Sequence, residues 1–396
     1  MNQSKTYKLI LIVLLLNITQ LLVAQQRIYI PQPYGDDFIN SPLISDISVI
    51  PLEIERYGDI TEDMEIKADR ENIFILDNKN TQCVNRYNYK GELLNTICEN
   101  RPVQNDNNLP ILSNPAHFNL DVFRDYVEIY KFENSTTYRF RYDGTLVDKI
   151  KFTVNPSDFA RDKQGNYWIS TGWNNTETQY RLLKTDANGT ITDRKLRLIT
   201  RCTPTESFAF YTTNKEICFW ELLGNTLYLI NGNTITPTYI FDFGEYNLPF
   251  DFHSIDGNDS FMMLTQKGYY TIKKYLENDH FAYVSLAFNS MDQRAMFHVI
   301  HDKKADKINI YTEDASIAAF DKAHHITEND ELLFFVSPRK IRNLTRINAD
   351  YLPEAINALS DEIGRTRTPV ILKMKLRSLA DSTYQTKSDS TNVPGY

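Results

Sequence analysis

This 396-residue sequence predicts an all-β chain folded as a six-bladed β-propeller with one short C-terminal rim helix. Three observations carry that prediction. Six compact aromatic and β-branched runs recur at 40 to 53 residues. Turn signals follow many of the strands paired to them. Strand-like segments stand at both ends of the repeating part, where they could close a ring. A period of this size with three to four strands per unit is the signature of radial repetition. One four-stranded blade cannot bury both of its faces; neighbours packed in a closed wheel bury them for each other. Two β-sandwich domains are the competing arrangement, and the regular spacing weighs against them.

The six runs are Asn72–Asp77, Asp125–Tyr130, Gly165–Ser170, Glu216–Glu221, Asp259–Leu264 and Asp306–Tyr311. Each is read as a first strand. Second strands are expected at Gln82–Tyr89, Thr137–Tyr142, Gln179–Thr185, Thr226–Asn231, Tyr269–Tyr275 and Ser316–Asp321. Turns at Lys90-Gly91, Asp143-Gly144, Asn188-Gly189 and Gly232-Asn233 lead into third strands such as Glu92–Ile97, Leu146–Phe152 and Thr236–Phe243. For closure, Ser48–Ile54 before the first unit and Pro369–Leu376 after the last would share one blade. Between the sixth unit and that last strand, Leu352, Ile356, Leu359 and Ile363 have helical spacing. Pro353 suits the first turn and Gly364 the end, so 350–364 is the expected rim helix. The organisation is then a signal peptide at 1–24, an N-terminal extension at 25–44, the propeller at 45–377 and a disordered polar tail at 378–396.

Composition excludes several classes. The chain is 42% hydrophobic and 24% charged with only 14 Gly and 15 Pro, which suits a globular core rather than disorder or a multi-span membrane protein. A net charge of −8 argues against nucleic acid, which needs clustered cations. Lys5 and Lys8 precede the apolar run Leu9–Leu16, and Leu21–Ala24 closes the segment. That is the layout of a secretory signal peptide cut after Ala24. A membrane anchor is the other reading, but Asn17, Thr19 and Gln20 interrupt the run short of the ~20 residues a spanning helix needs. Cleavage removes two Lys and no acid, so −8 becomes −10. No Cys follows the apolar run, so no lipid anchor is expected. The mature protein is expected to be secreted or periplasmic and monomeric, with no membrane span.

Export allows disulfides among the four cysteines. A hairpin turning at Lys90-Gly91 sets Cys83 opposite Cys98, where Cβ atoms lie ~4.5–5.5 Å apart. Closing such a loop adds ~3 kcal/mol. Cys202 and Cys218 have a similar separation without a clean turn, and a second disulfide is expected there. Free buried thiols are the alternative to both; no CxxC pair favours a metal site.

The runs at Ile47–Ile54, Asn72–Ile97, Asp158–Ser170 and Asn225–Pro249, with the closing TPVILKMKL, carry a family resemblance. The chain resembles the six-bladed, NHL-like β-propellers secreted by Bacteroidetes over roughly residues 45–377. The resemblance implies an exported protein whose blades are scaffold. It supplies no catalytic signature.

Motifs for catalysis are missing: no HExxH, GxSxG, Walker loop or GxGxxG occurs in the sequence. No catalytic residue, metal ligand or cofactor is therefore expected. The seven His read as surface or turn residues, and His298 and His301 fall on opposite strand faces. The acidic pairs Asp36-Asp37, Glu62-Asp63 and Asp330-Glu331 lack Ca²⁺-loop spacing. The functional expectation is geometric. Loops between the first and second strands converge on one face and carry Lys79, Glu133, Trp173, Asn174, Gln266 and Glu313. Trp173, between Gly and Asn-Asn, suits a sugar or protein contact, and would equally suit packing between blades. The expected function is a non-catalytic binding or scaffold propeller for a protein or glycan partner. The alternative is a glycan or peptide hydrolase or lyase in the axial funnel.

Overall fold

The structure is a computed structural model and describes residues 26–30, 36–53, 64–77, 83–98, 117–121, 124–172, 179–197, 210–213, 216–221, 223–248, 257–314, 322–337, 340 and 369–382. The segments expected as a signal peptide (1–24), a rim helix (350–364) and a strand (Ser316–Asp321) lie outside the described residues.

Three strands come first in the chain: β1 (Gln26–Tyr29), β2 (Asp36–Asp37) and β3 (Ile44–Pro51). The first blade then forms from β4 (Glu65–Ala68), β5 (Asn72–Asp77), β6 (Cys83–Asn88) and β7 (Leu93–Ile97). The second holds β8 (His117–Asp121), β9 (Tyr126–Lys131), β10 (Thr136–Arg141) and β11 (Leu146–Lys151). The third holds β12 (Asp158–Arg161), β13 (Tyr167–Ser170), β14 (Tyr180–Thr185) and β15 (Ile191–Arg197). The fourth holds β16 (Phe210–Thr212), β17 (Ile217–Trp220), β18 (Thr226–Asn231) and β19 (Thr234–Asp242). Helix α1 (Gly257–Lys267) leads to the fifth: β20 (Tyr269–Glu277), β21 (Phe281–Asn289), β22 (Arg294–Asp302) and β23 (Lys307–Asp314). The sixth has β24 (His325–Ile326), β25 (Glu331–Val336), β26 (Val370–Leu376) and, outermost, β3. A short helix, α2 (Leu379–Ser382), ends the described chain.

The blades bury one another as the period-2 pattern requires. On β5, Ile73 and Ile75 join the cluster with Ile371 and Phe335 of the sixth blade, while Phe74 and Leu76 join Phe118 and Ile129 of the second. Equivalent apolar clusters fill the second–third, third–fourth, fourth–fifth and fifth–sixth interfaces. The six-bladed wheel is therefore held by six greasy wedges. Closure comes from β3, which pairs antiparallel with β26 from Ile44↔Leu376 to Pro51↔Val370. The strand-like ends read from the sequence meet in that one blade.

Within 25–44, expected as an extension, the described residues 26–30 and 36–44 form a strap. β1 adds parallel to β19 and β2 parallel to β23. Ile28 and Ile30 enter the fourth–fifth cluster, and Phe38 stacks on His298 at 4.0 Å between the fifth and sixth blades. Asp36-Asp37, read as a solvated loop, thus form a strand that covers a sheet edge.

Several sequence expectations need correction. Asp259–Leu264 is helix, not strand, and Asp306–Tyr311 runs into β23, the fourth strand of the fifth blade, and does not start a sixth. The run Phe-Met-Met-Leu is apolar enough to read as a strand. Met and Leu favour helix, however, and the helix ends where Gly268 takes φ +93° and donates to the Leu264 carbonyl at 2.7 Å. The runs read as first strands in the first four blades are second strands. The true inner strands are short and charged, so they lack an alternating signal. Ser378, expected in a disordered tail, is buried and donates to both carboxylate oxygens of Asp302 at 2.9 and 2.8 Å; the Leu379 N–H adds a third bond at 2.8 Å.

The Cys83–Cys98 disulfide is present, with Cα atoms 4.8 Å apart. Val84↔Ile97 sets its register, and a bulge between Arg86 and Tyr87 absorbs the slip near the turn. The second disulfide is not formed. Cys218 is a free, buried thiol whose neighbour on β16 is Tyr211, and Cys202 lies outside the described residues. Burial among tyrosines pushes the Cys218 thiol up, leaving it an inert core group.

Candidate functional site

In an antiparallel blade the turn from second to third strand and the connection leaving the fourth strand emerge at the same end. The candidate residues among those described fall there. Glu133 lies in the single 3₁₀ turn Phe132–Asn134 that links β9 to β10. Gln266 sits exposed in α1, the connection between the fourth and fifth blades, and Glu313 lies near the end of β23. Neither of these two is in a loop between paired strands, as the sequence reading had it. Lys79, Trp173 and Asn174 lie outside the described residues. Of the three Trp, Trp168 and Trp220 are buried between blades.

Among the described residues Met262, Met291 and Tyr29 are large exposed side chains at this end, Tyr29 beside the last residue of β19. Met262 on α1 is 57% exposed and Met291, in the turn from β21 to β22, is 70% exposed. The Met291 N–H donates to the Thr265 carbonyl at 3.0 Å, which ties the turn to the last part of the helix.

The axis itself is lined by β4, β8, β12, β16, β20 and β24, and its chemistry escaped the sequence reading. Glu65 and Lys67 reach from β4 to β8. Lys67 Nζ contacts Glu65 Oε1 at 3.0 Å and donates to the Phe118 carbonyl at 2.6 Å, with Asn119 Oδ1 at 3.4 Å. The Phe118 N–H donates to Glu65 Oε2 at 3.2 Å, and His117 Nδ1 lies 3.8 Å from that oxygen. Burial pushes the Glu65 carboxyl up, but Lys67 and His117 outweigh it and hold it at about 2. Asp158 repeats the device from β12, accepting the Phe210 N–H of β16 at 3.0 Å. Inner strands of adjacent blades share no ladder, so a carboxylate satisfies the facing N–H.

Lys274 differs from these. It sits on β20 just after a bulge, is 9% exposed, and makes no hydrogen bond or ion pair among the described residues. Burial, then the Lys67 cation, lowers its amine to about 8, while Glu65 and Asp158 pull the other way. Charges from the first, third and fifth blades therefore act on one another across the axis. His324 and His325 stand beside it. Burial, then nearby lysines, pushes His324 down; burial and Lys274 push His325 down to about 4. Both rings are neutral at pH 7. His298 is also no surface residue, being buried and sharing a 2.8 Å hydrogen bond with the Tyr283 hydroxyl.

A second charged cluster braces the second and third blades. Arg139 Nε donates to buried Glu128 at 2.9 Å, the Tyr167 hydroxyl donates to the same carboxylate at 2.7 Å, and Arg161 Nη1 donates to Asp121 at 2.8 Å. Its hydrogen bonds link the second and third blades, and two converge on Glu128 Oε1, while Glu128 Oε2 is buried without a hydrogen-bond partner. Among the described residues no group of three or more His, Cys, Asp or Glu could hold a metal ion.

Residues 30–375 match DUF4934, a domain of unknown function. The chain belongs to the DUF4934 family. Its fold is similar to that of a Bacteroides fragilis protein named as a candidate exported protein, with TM-score 0.68, 12% identity, and coverage of 89% of this chain and 99% of that one. It is also similar to a DUF4221 family member from Bacteroides vulgatus, with TM-score 0.52, 8% identity, and coverage of 85% and 98%. At these identities the likeness is one of fold. No protein of curated function matches the chain.

Proposed function

We propose that this DUF4934 chain is an exported, non-catalytic binding or scaffold propeller that contacts a protein or glycan through the end bearing α1 and the second-to-third strand turns. The observation that carries the reading is the exposed pair Met262 and Met291 beside Gln266 at that end. Exposed methionines on a rigid sheet scaffold are adaptable contact groups. The predicted signal peptide, the Cys83–Cys98 disulfide and the similarly folded protein named as a candidate exported protein support a site of action outside the cytoplasm. In an exported Bacteroidetes propeller of NHL-like descent, Lys79, Glu133, Trp173, Asn174 and Glu313 would complete the contact surface.

Binding is favoured over hydrolysis by the state of the axial carboxylates. Glu65 is ionised and committed to Lys67 and Phe118, and Asp158 to the Phe159 and Phe210 amides. Glu65, held at about 2, is not poised as a general acid, which needs a raised pKa. The test is a capture experiment with the mature protein. Met262→Asp with Met291→Asp, and separately Lys79→Ala with Trp173→Ala, should each weaken a partner held by the wild-type chain at least about tenfold, ~1.4 kcal/mol. Capture at wild-type strength by both double variants would show that this end is not the contact surface.

A further inference from the structure

The blades differ in how their outer edges end. The fourth and fifth carry an added strand, β1 on β19 and β2 on β23. Among the described residues the other four end on β7, β11, β15 and β3. An unpaired edge is a template for a strand from another chain. Each of these four strands opens with a bulge, and the first residue paired after it is Asn or Asp. It is Asn95 after Leu93, Asp148 after Leu146, Asp193 after Ile191 and Asp46 after Ile44. The two strapped blades lack this unit. β23 pairs with β22 without a register shift, and the bulge in β19 is followed by Tyr239.

In the second and third blades the residue after the bulge does the same thing. Just past β11, the Phe152 N–H donates inward to the Ser135 carbonyl at 2.9 Å. On β14, the Arg181 carbonyl accepts the Thr171 N–H from the β13 side at 2.9 Å. Backbone groups alternate in direction along a strand, so the register turns the Lys149 and Arg194 N–H groups to the open side. Asp148 Oδ1 accepts the Lys149 N–H at 2.8 Å, and Asp193 Oδ1 accepts the Arg194 N–H at 2.7 Å. The other oxygen faces a cation in both cases. Asp148 Oδ2 lies 3.7 Å from Arg139 Nη1, and Asp193 Oδ2 lies 2.8 Å from Lys195 Nζ. Each aspartate therefore takes up the donor that an incoming strand would need. We propose that Asp148 and Asp193 guard the open edges of the second and third blades against pairing with a second copy of this chain, whose β11 and β15 present the same edges. The bulge and its aspartate do for these blades what the strap does for the fourth and fifth.

The test is sedimentation velocity of the mature chain over a concentration series, with hydrogen exchange at the Lys149 and Arg194 amides. Asp148→Ala with Asp193→Ala should self-associate at least about tenfold more tightly than wild type. The association should reverse on dilution, and both amides should exchange faster in the diluted chain. Asp148→Asn with Asp193→Asn keeps an acceptor oxygen and should match wild type in both readouts. Asp143→Ala removes an exposed acid that caps the Thr145 N–H within a turn, at 2.8 Å, and should also match wild type. Unchanged association in the alanine variant would overturn the proposal, as would association that dilution does not reverse. So would equal association in the asparagine variant or in Asp143→Ala, or wild-type Lys149 and Arg194 amides that exchange as fast as in an unfolded chain.

Discussion

Glu65 shows how one residue couples the ring to pH. Its carboxyl is held at about 2 in the folded chain against an ordinary 4.5. A depressed acid contributes stability that is full above the unfolded value and is lost as pH falls through the folded one. The window is therefore pH 4.5 down to 2, and the contribution at neutral pH is about 3 kcal/mol. Glu65→Gln should lower neutral stability by about that order and flatten the acid limb of a pH–urea stability profile. A variant whose acid limb still tracks the wild type would assign acid sensitivity elsewhere. His325 acts in the same direction at higher pH: lowered from 6.5 to about 4, it withdraws stability as pH falls across that interval. None of this was legible in the sequence. Glu65, Lys67 and Asp158 lie outside the strands read from the sequence and Lys274 lies within one, Tyr269–Tyr275; only closure of the ring brings them together. The cysteines divide in the same way. Cys83–Cys98 was readable because its partner lies across one hairpin, while Cys218 is decided by its neighbours on other strands.

Elements were legible where local pattern and local turn agreed. Gly91 illustrates what a turn glycine does beyond its hairpin. At φ +84°, a Cβ there would come within 1.9 Å of the Pro51 carbonyl oxygen, and the Gly91 carbonyl accepts the Glu53 N–H at 2.8 Å. The first blade's turn thus docks on the closing strand β3. Gly189 repeats the contact two interfaces on, where an added Cβ would come within 2.6 Å of the Lys151 carbonyl oxygen. Gly91→Ala should cost roughly 2 kcal/mol or more, read as a lower urea midpoint; a midpoint within error of wild type would show that β3 moves freely away. Gly268 is the mark the helix left in the sequence. A glycine following Met-Met-Leu and a basic residue is a helix stop, and weighing it would have separated α1 from the strands. The apolar run alone could not, since short apolar runs suit either element.

Across the whole molecule, stability depends on the two chain ends. β3 closes the sixth blade, β1 and β2 strap the fourth and fifth, and Asp302 of the fifth blade holds Ser378 and Leu379 just after β26. Ile28→Ala with Ile30→Ala removes two buried side chains from the fourth–fifth interface and should destabilise by about 4 kcal/mol or more. Limited proteolysis should then cut the strap before the blades. If the strap resisted cleavage as well as wild type, the parallel β1–β19 edge alone would hold it.

The repeat, the closing strands and one disulfide were set by local order: strand period, turn residues and hairpin register are short-range properties of a chain. The number of blades could be read for the same reason, although the unit boundaries slipped where a helix imitated a strand. The strap, the free Cys218 and the charged axis were decided only in three dimensions. Each depends on residues from blades far apart in sequence meeting after the ring has closed, and the burial that shifts Glu65 and Lys274 does not exist until then.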